Sequence, residues 1–569
     1  MSTRRTFLKQ AGAAGVVLAA SDRIGELFAS APQGKVMSSP FKGLADIALG
    51  EAKRGGCSYA DIRFTRNLTF AGVTATATAA GAPAADPAAG GFGGRGGGGA
   101  RGGGGGGRGG GGGRGGGFGG GGDAGDTLTA DGRPNAAGFG VRVVHSGVFG
   151  FASSPIVTED EIRRIAKLAT EVAKASAIAK KRDLILAGVP AYQVNWSTEM
   201  TQDPRKMSQS DKENALQAVV NAAIKHKDVV SATASANFAG EWKYFASSEG
   251  SYIEQELFST TPNFSVTAKR GDTQRARNYA MPGGMGGWEL VEIDGMMANV
   301  DQTVDEAIEL STATPITPGV KDLILTPSHL ALTIHEIIAH ATELDRIMGY
   351  EANYAGTSFV KLDSINKLKY GSKLLNVTGD KVRPGGRATV GYDDDGVKTT
   401  KFDIIKDGQL VGVSTNREVA HYIGEKESRG CTQASSWREY PFLRMPNVHL
   451  EADPKGPTPE EMIADTKDGV LIEGSGSFSI DQQRYNGQFG GSAFWEIKNG
   501  KKGRAVTNVT YNAITTDFWA ALDAVAGPKY WRQFGVGGDA KGQPTQGQAV
   551  SHGSSWCRIR KIMVGGAYQ

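Results

Sequence analysis

The stretch DLILTPSHLALTIHEIIAHATELDRIM, residues 322–348, indicates both the fold and the chemistry of this chain. Its first four residues, Asp322 to Leu325, are typical of a β-strand, and the Thr-Pro-Ser triplet after them is typical of a helix start. The helical pattern then continues to about Met348, with two histidines and a glutamate in an otherwise apolar first half. We therefore expect a strand followed by a helix that carries the functional side chains.

The spacing of the two histidines sets a geometric condition on this helix. His335 and His340 are five positions apart, and Glu336 follows the first of them. At about 100° per residue, the two rings would lie roughly 140° apart around an ideal α-helix, which is too far for one ion. A local widening to i→i+5 hydrogen bonding, a π-bulge, would bring both rings to one face. The spacing therefore predicts a π-bulge between His335 and His340.

These residue types are those of zinc-dependent hydrolysis. Neutral imidazole nitrogens bind Zn²⁺ well, and a carboxylate beside the first ligand can take a proton from a metal-bound water. Three protein ligands would leave a fourth position open for that water, with one zinc ion per active subunit. The motif therefore predicts a hydrolase in which His335 and His340 are ligands and Glu336 is the general base.

The chain divides into two parts around this stretch. Residues 40–310 mix helix and strand patterns, whereas residues 316–569 show mainly short strands separated by turns, such as the hairpin pattern of 402–411 with its Asp-Gly turn. We expect the α+β fold class, with an N-terminal α+β domain followed by a β-rich C-terminal domain that carries the metal-binding helix. The length of 569 residues is ample for a large core.

The first 31 residues have the order of a bacterial twin-arginine export signal. Arg4 and Arg5 stand before an apolar run from Ala11 to Ala20, and small residues follow at 29–31. Export by this route predicts a periplasmic or cell-envelope protein that is translocated already folded. No other stretch approaches the roughly twenty apolar residues of a transmembrane helix, so no membrane span is expected in the mature form.

A glycine-rich insertion interrupts the N-terminal part at about residues 80–127. Glycine fills 26 of the positions 90–122, and such a segment cannot bury enough apolar surface to offset its ordering entropy, so we expect it to be disordered. Residues 90–122 hold four arginines and no acidic residue, a charge that equals the formal net charge of +4, so the rest of the chain is formally neutral and a nucleic-acid partner is not expected. Three widely spaced cysteines form neither a disulfide framework nor a Cys-rich zinc module, and no glycine-rich segment has a phosphate-binding pattern.

The histidine stretch and its surroundings resemble the TldD/PmbA family of metalloproteases, specifically the metal-binding TldD-type subunit. The segments that carry the resemblance are 59–63, 140–142, 335–346, 349–359, 438–441, 444–447 and 564–566. The resemblance implies a peptidase whose zinc is held by the two histidines and a distant cysteine, with the intervening glutamate as general base. It also implies unfolded or extended peptide substrates bound as an added strand in a protected channel, and a homodimer or a heterodimer with a related subunit.

The third ligand is where this chain departs from the family pattern. The family segment reads roughly Cys-Gly-Lys-Gly-Gln-Pro, and the matching residues here are 539–544, which places Asp539 at the cysteine position. A carboxylate is an acceptable zinc ligand, although it is harder than a thiolate. His552 and Cys557 lie close in sequence and remain alternatives.

Four further residues are candidates for supporting roles. Glu343 and Asp345 could orient a ligand imidazole, or they could lie on a solvated helix face or pair with Arg346. Arg438 and Arg444 could bind a carboxylate of the substrate, or they could form structural salt bridges.

Two functions from different classes follow from these residues. The first is a zinc-dependent peptidase that hydrolyses unfolded or extended peptides through a metal-activated water, with Glu336 as general base. The second is a non-catalytic peptide-binding or assembly subunit of the same fold, in which the changed third ligand has led to loss of the metal.

Overall fold

The computed structural model describes residues 35–79 and 137–565. The predicted signal region, 1–31, and the predicted glycine-rich insertion lie outside these residues. Within the described part, helices and strands mix in the N-terminal half and strands dominate the C-terminal half, which is the predicted α+β class. In these two ranges no helix is long and apolar enough to cross a membrane.

Nine strands of the described N-terminal residues form one sheet. They are β1 (Tyr59–Thr69), β2 (Val73–Thr78), β3 (Ala137–His145), β4 (Val148–Ser154), β5 (Gln193–Ser197), β6 (Val229–Ser247), β7 (Tyr252–Arg270), β8 (Thr273–Tyr279) and β9 (Gly284–Met285). The strands follow the order β4-β3-β1-β6-β7-β5, with β2 paired to β6, and β8 and β9 paired to β7. The long β6–β7 hairpin is the centre of this sheet.

Helices cover this sheet and give it two hydrophobic cores. They are α1 (Pro40–Arg54), α2 (Glu159–Ser176), α3 (Gln209–Ala223), α4 (Ile293–Ala298) and α5 (Val300–Ser311). Helix α2 begins at Thr158, whose side chain accepts a hydrogen bond from the backbone N–H of Glu161, the usual device for an unpaired helix start. Helices α1 and α2 pack on one core, and α3, α4 and α5 pack on the other.

The C-terminal half contains two large sheets and a strand pair. Its strands are β10 (Thr314–Pro315), β11 (Gly319–Leu325), β12 (Val377–Asp380), β13 (Lys401–Lys406), β14 (Gln409–Leu410), β15 (Thr432–Gln433), β16 (Phe442–Leu443), β17 (Asn447–Leu450), β18 (Asp468–Glu473), β19 (Phe478–Ile480), β20 (Asn486–Gly490), β21 (Ala493–Lys498), β22 (Lys501–Thr507), β23 (Thr510–Ile514), β24 (Leu522–Val525), β25 (Arg532–Lys541), β26 (Gln546–Ser554) and β27 (Cys557–Gly565). One sheet has the order β10-β22-β21-β18-β11-β27-β23-β20-β19, with β24 on β27, and the other has the order β14-β13-β12-β17-β26-β25. The predicted hairpin with its Asp-Gly turn is confirmed as β13–β14, with both turn residues at positive φ.

The histidine helix lies in the core between these two sheets. Helix α6 (Pro327–Ile334) continues into a π-helical turn, His335–Ala339, and every residue from 329 to 346 is buried. The core around it contains Val448 of one sheet and Val470 of the other. The predicted strand before the helix is β11, and the predicted π-bulge is confirmed.

The helix ends earlier than the predicted Met348. A 3₁₀ turn, His340–Thr342, follows the π-turn, and Glu343 is extended at φ −81° and ψ 120°. The cause is a backbone pairing, because Ser414 donates to the carbonyl of Thr342 and Leu344 donates to the carbonyl of Ser414. Helix α7 (Leu344–Ile347) then begins in a new direction, followed further along by α8 (Pro459–Ala464) and α9 (Thr515–Ala520).

Buried ion pairs join the two halves of the molecule. Arg142 of β3 lies 2.7 Å from both Asp61 and Asp395, and Lys243 of β6 lies 3.2 Å from Asp394. All of these side chains are buried. Removing one member would leave an uncompensated buried charge, so the network holds the N-terminal sheet against the C-terminal half.

Candidate metal centre

The π-turn places the two imidazoles on one side of the histidine helix. The backbone N–H of His340 donates to the carbonyl of His335, which is the i→i+5 bond of a π-turn. The ring centroids are 4.6 Å apart and the ring planes cross at 75°. The widened turn therefore brings together two rings that a regular α-helix would separate.

Asp539 reaches these rings from the β25–β26 hairpin. The register of this hairpin shifts between Val536 and Asp539, and Gly538 within the shift has φ +74°, a backbone conformation that favours glycine. The bulge turns the Asp539 side chain toward the histidine helix. Arg444 donates to Asp539 Oδ2 at 2.9 Å and to its carbonyl at 2.8 Å, which leaves Oδ1 facing the rings.

The three side chains present a donor set that fits a divalent metal. Asp539 Oδ1 lies 3.2 Å from His340 Nε2 and 3.7 Å from His335 Nε2. Ligand atoms about 2.0–2.1 Å from a tetrahedral zinc lie about 3.3 Å from one another, so these separations match one shared ion. Among the residues that the structure describes, His335, His340 and Asp539 are the His, Cys or carboxylate side chains whose ligand atoms lie close enough together to hold one ion. Two imidazoles and one carboxylate are the ligands of catalytic zinc sites that keep a fourth position open.

A second imidazole orients His335. His335 Nδ1 lies 2.9 Å from His552 Nε2, and His552 Nδ1 lies 3.1 Å from the carbonyl oxygen and 3.2 Å from the amide nitrogen of Val448. Either tautomer of His552 therefore has a backbone partner. Burial holds the pKa of His552 well below its usual value, so this ring is neutral. The structure places His552 behind His335, away from the position of a ligand.

A carboxylate orients His340 in the same way. His340 Nδ1 lies 2.9 Å from Glu343 Oε2, and Lys541 Nζ donates to Glu343 Oε1 at 2.8 Å. Burial would raise the pKa of Glu343, but the charges of Lys541 and Arg346 and the bond to His340 hold it well below its usual value. Asp345 does not touch a ligand; it binds Lys541 at 2.9 Å and so supports Glu343 indirectly. Such partners fix ring orientation at metal sites.

Glu336 lies next to His335, His340 and Asp539, which together form the ligand group, and it is paired with an arginine. Arg484 Nη1 donates to Glu336 Oε2 at 2.8 Å, and the Glu336 residue is 6% exposed. Arg484 belongs to the turn between β19 and β20 and has φ +61°. Its Nε is buried and has no hydrogen-bond partner among the described atoms. Glu336 is therefore held by a largely buried cationic side chain.

Cys557 and Arg438 lie outside the ligand group, and Arg444 contacts it only through Asp539. Cys557 is opposite Leu325 in the core, where burial raises the pKa of its thiol, and it is not part of the ligand group. Arg438 is exposed between β15 and β16, where its carbonyl accepts a hydrogen bond from Ser153. Arg444 is 1% exposed and its guanidinium binds Asp539, Gln546 and Gln548, which is the second of the two alternatives, a structural salt bridge.

Sequence reasoning missed Lys541 and Arg484. Lys541 could have been found, because it follows Asp539 by two positions on a strand and therefore shares its face. No sequence pattern points to Arg484, since it lies 148 residues from Glu336 in a turn that contains no recognised motif.

Comparisons with known proteins match this chain along most of its described length. Residues 202–313 match the PmbA/TldA metallopeptidase central domain, and residues 318–566 match the PmbA/TldA metallopeptidase C-terminal domain. A metalloprotease of Synechocystis sp. is 29% identical over 437 residues, which cover 76% of this chain and 89% of that protein. A zinc metalloprotease TldD homolog of Saccharolobus solfataricus is 22% identical over 437 residues, which cover 75% and 90% of the two chains.

The fold is also that of a solved structure. TldE from Thermococcus kodakarensis superimposes with a TM-score of 0.63 at 13% sequence identity, over 91% of this chain and 99% of that one. At this identity the match concerns the fold alone. The two domain matches together span more than half of the chain. The chain therefore belongs to the PmbA/TldD family of metallopeptidases.

Proposed function

We propose that this protein is a zinc-dependent peptidase that hydrolyses unfolded or extended peptides. The observation that carries the proposal is the convergence of His335 Nε2, His340 Nε2 and Asp539 Oδ1 within 4.8 Å of one another, beside the carboxylate of Glu336. A zinc ion held by these three atoms would supply Lewis-acid activation of water and of the peptide carbonyl.

Glu336 is the proposed general base. Arg484 holds Oε2 of this carboxylate and leaves Oε1 to accept a proton from the attacking water. The Arg484–Glu336 ion pair is largely buried, and low exposure strengthens the electrostatic contact that holds the carboxylate in place. Glu343 and His552 keep the two imidazoles turned so that their Nε2 atoms face Asp539.

The substrate is proposed to bind as an added strand along β25. In the described part of the chain, β25 pairs with β26 on one side and is the last strand of its sheet. An unpaired edge offers backbone donors and acceptors to an extended peptide. Because β25 carries Asp539, a peptide on this edge would run past the ligand group.

Metal analysis and cleavage assays on the purified chain test this function. We expect about one zinc per chain, loss of cleavage after chelation, and recovery after zinc is added back. Glu336→Gln should keep its zinc and lose at least about 100-fold in cleavage of an unfolded protein substrate, the usual contribution of a general base. Glu171→Gln, at an exposed position of α2, is the matched control and should behave as wild type.

The same experiment distinguishes the peptidase function from the alternative, non-catalytic subunit function. A wild-type chain that binds peptides but takes up no zinc would overturn the peptidase proposal in favour of a non-catalytic peptide-binding or assembly subunit. Equal cleavage by wild type and Glu336→Gln would remove Glu336 from the mechanism.

Export and assembly are two further parts of this proposal. The Arg4-Arg5 pair supports twin-arginine export to the periplasm or cell envelope, and replacing both arginines with lysine should retain the protein in the cytoplasm on cell fractionation. Family resemblance supports a homodimer or a heterodimer with a related subunit. Light scattering of the purified chain should give a dimer mass in the first case and a monomer mass in the second.

A further inference from the structure

A cavity of about 180 Å³ lies between the two halves of the molecule, apart from the ligand group. The turn between β3 and β4, the segment 182–185 and two C-terminal segments around 350 and 418–422 line it. Its walls are partly apolar, with Val148, Phe149, Leu184 and Ile185 among them. Because buried ion pairs hold the two halves together, this cavity is a fixed feature of the interface.

Aromatic rings in this cavity already hold a cation. The guanidinium carbon of Arg182 lies 5.0 Å from the ring centre of Tyr422 and 5.8 Å from that of Tyr350. Arg182 also donates a short hydrogen bond to the Tyr350 hydroxyl. Cations over tyrosine faces are stabilised by the ring quadrupole. The exposed side chain of Arg182 shows what chemistry these walls accept.

The Glu418 carboxylate lines the same cavity. In the described ranges, no group donates a hydrogen bond to it, and the residue is half-buried. Burial and the charges of Asp345 and Asp395 raise its pKa to about 7, against the opposing charges of Arg142 and Arg182. His421 also lines the cavity, and burial lowers its pKa, so it adds no positive charge at neutral pH. A basic ligand would add a directly bonded cation to the more distant charges of Arg142 and Arg182.

A chain of hydrogen bonds runs from the cavity wall at Tyr350 to the candidate metal centre. Tyr350 donates its backbone N–H to the carbonyl of Asp345 at 2.9 Å, and the Asp345 side chain binds Lys541, which in turn binds Glu343. Glu343 contacts the ligand His340. Gly542, which directly follows β25, donates its backbone N–H to the Glu351 carboxylate at 3.3 Å, so a peptide bound along β25 would run toward the Tyr350 wall of the cavity.

We propose that this cavity is a specificity pocket for a basic side chain, arginine or lysine, of the bound peptide. The charged head pairs with Glu418 and the aromatic walls, and the apolar stem packs against Val148, Phe149, Leu184 and Ile185. This inference rests on the proposed peptidase function, because it assigns the side chain that the substrate presents.

Direct binding tests the pocket without relying on cleavage. The probes are two fluorescein-labelled hexapeptides that differ at one position, arginine in one and its neutral isostere citrulline in the other. Fluorescence anisotropy is measured at pH 8 with the full chain carrying Glu336→Gln, so that no probe is consumed. We expect the arginine peptide to bind about tenfold more tightly, and Glu418→Gln to abolish this preference.

Glu427→Gln is the matched control, because Glu427 is an exposed carboxylate on the same segment and does not line the cavity. It should keep the preference for arginine. Equal binding of both peptides, a preference that survives Glu418→Gln, or no binding of either peptide would overturn the pocket. Cleavage without charge preference would overturn the pocket alone, whereas charge-selective binding without cleavage by the zinc-loaded wild type would overturn the peptidase function alone.

Discussion

Arg484 donates a hydrogen bond of 2.8 Å to the Glu336 carboxylate, and the backbone of Arg484 lies in the left-handed region at φ +61°. Such a conformation costs a non-glycine residue about 1–3 kcal/mol and persists where the surroundings enforce it. Here Thr515 Oγ1 donates to the Arg484 carbonyl, and the backbone N–H of Thr357 donates to the carbonyl of Gln482, both at 2.8 Å. The turn is thus fastened to the segment that follows the histidine helix.

Arg484→Gly should separate the role of this side chain from the stability of its turn. Glycine adopts positive φ without a steric penalty, so the turn is expected to persist. Glu336 loses its anchor, and we expect kcat for peptide cleavage to fall by up to about 100-fold while zinc content stays at the wild-type value.

Arg484→Lys should recover part of the lost rate, because lysine keeps one charged donor. Arg275→Ala, at an exposed position of β8, is the control. Circular dichroism melting of each variant checks the fold, and a wild-type rate in Arg484→Gly would contradict the assignment.

Asp539→Ala should destabilise the metal-free protein by about 3–5 kcal/mol. The change leaves the guanidinium of Arg444, whose side chain is 2% exposed, without its carboxylate. Asp539→Asn should cost less, because an amide oxygen can still accept the Arg444 hydrogen bond. Urea denaturation in the presence of a chelator measures both variants, and equal stability of the two would show that Arg444 does not depend on this contact.

His552→Phe should weaken zinc binding by about 10- to 100-fold without removing a ligand. A phenyl ring at this position cannot hydrogen-bond His335 Nδ1, so the ligand imidazole loses the partner that sets its orientation. His552→Gln keeps a side-chain hydrogen-bonding group and should bind zinc more tightly than His552→Phe. Competition with a chromogenic chelator gives the affinities. Loss of all zinc binding in both variants would instead indicate that His552 is itself a ligand.

The stability of Glu418→Gln relative to wild type should depend on pH. Burial and nearby carboxylates raise the folded-state pKa of Glu418 to about 7, above its ordinary value of 4.5. A raised carboxyl pKa gives stability that is complete below the ordinary value and is lost as pH rises through the folded value. The glutamine variant does not titrate, so it should gain about 1–2 kcal/mol over wild type between pH 5 and pH 8, after allowance for partial exposure.

Urea midpoints at the two pH values measure this difference. Glu427→Gln should follow the wild type at both. A Glu418→Gln advantage that is the same at pH 5 and pH 8 would show that the carboxylate is solvated.

Part of the site can be predicted from the sequence of the histidine helix alone. The five-residue spacing of His335 and His340 predicts the π-turn, because no regular α-helix can bring these rings to one ion. The strand before the helix and the β-rich character of the C-terminal half follow from the same kind of pattern. The early end of the helix does not, since it depends on Ser414, about seventy positions further along the chain.

The amino-acid sequence by itself determined the two imidazoles, the adjacent carboxylate and the π-turn that joins them, because these features depend on spacing along one helix. The tertiary structure alone decided that Asp539, and neither His552 nor Cys557, faces both rings, because that choice depends on a bulge in β25 and on which residues of β26 and β27 point inward. It also decided the partners Lys541, Arg484 and His552, which lie 198, 148 and 217 residues from the groups they bind. Contacts over such distances arise from the packing of strands, and no local pattern records them.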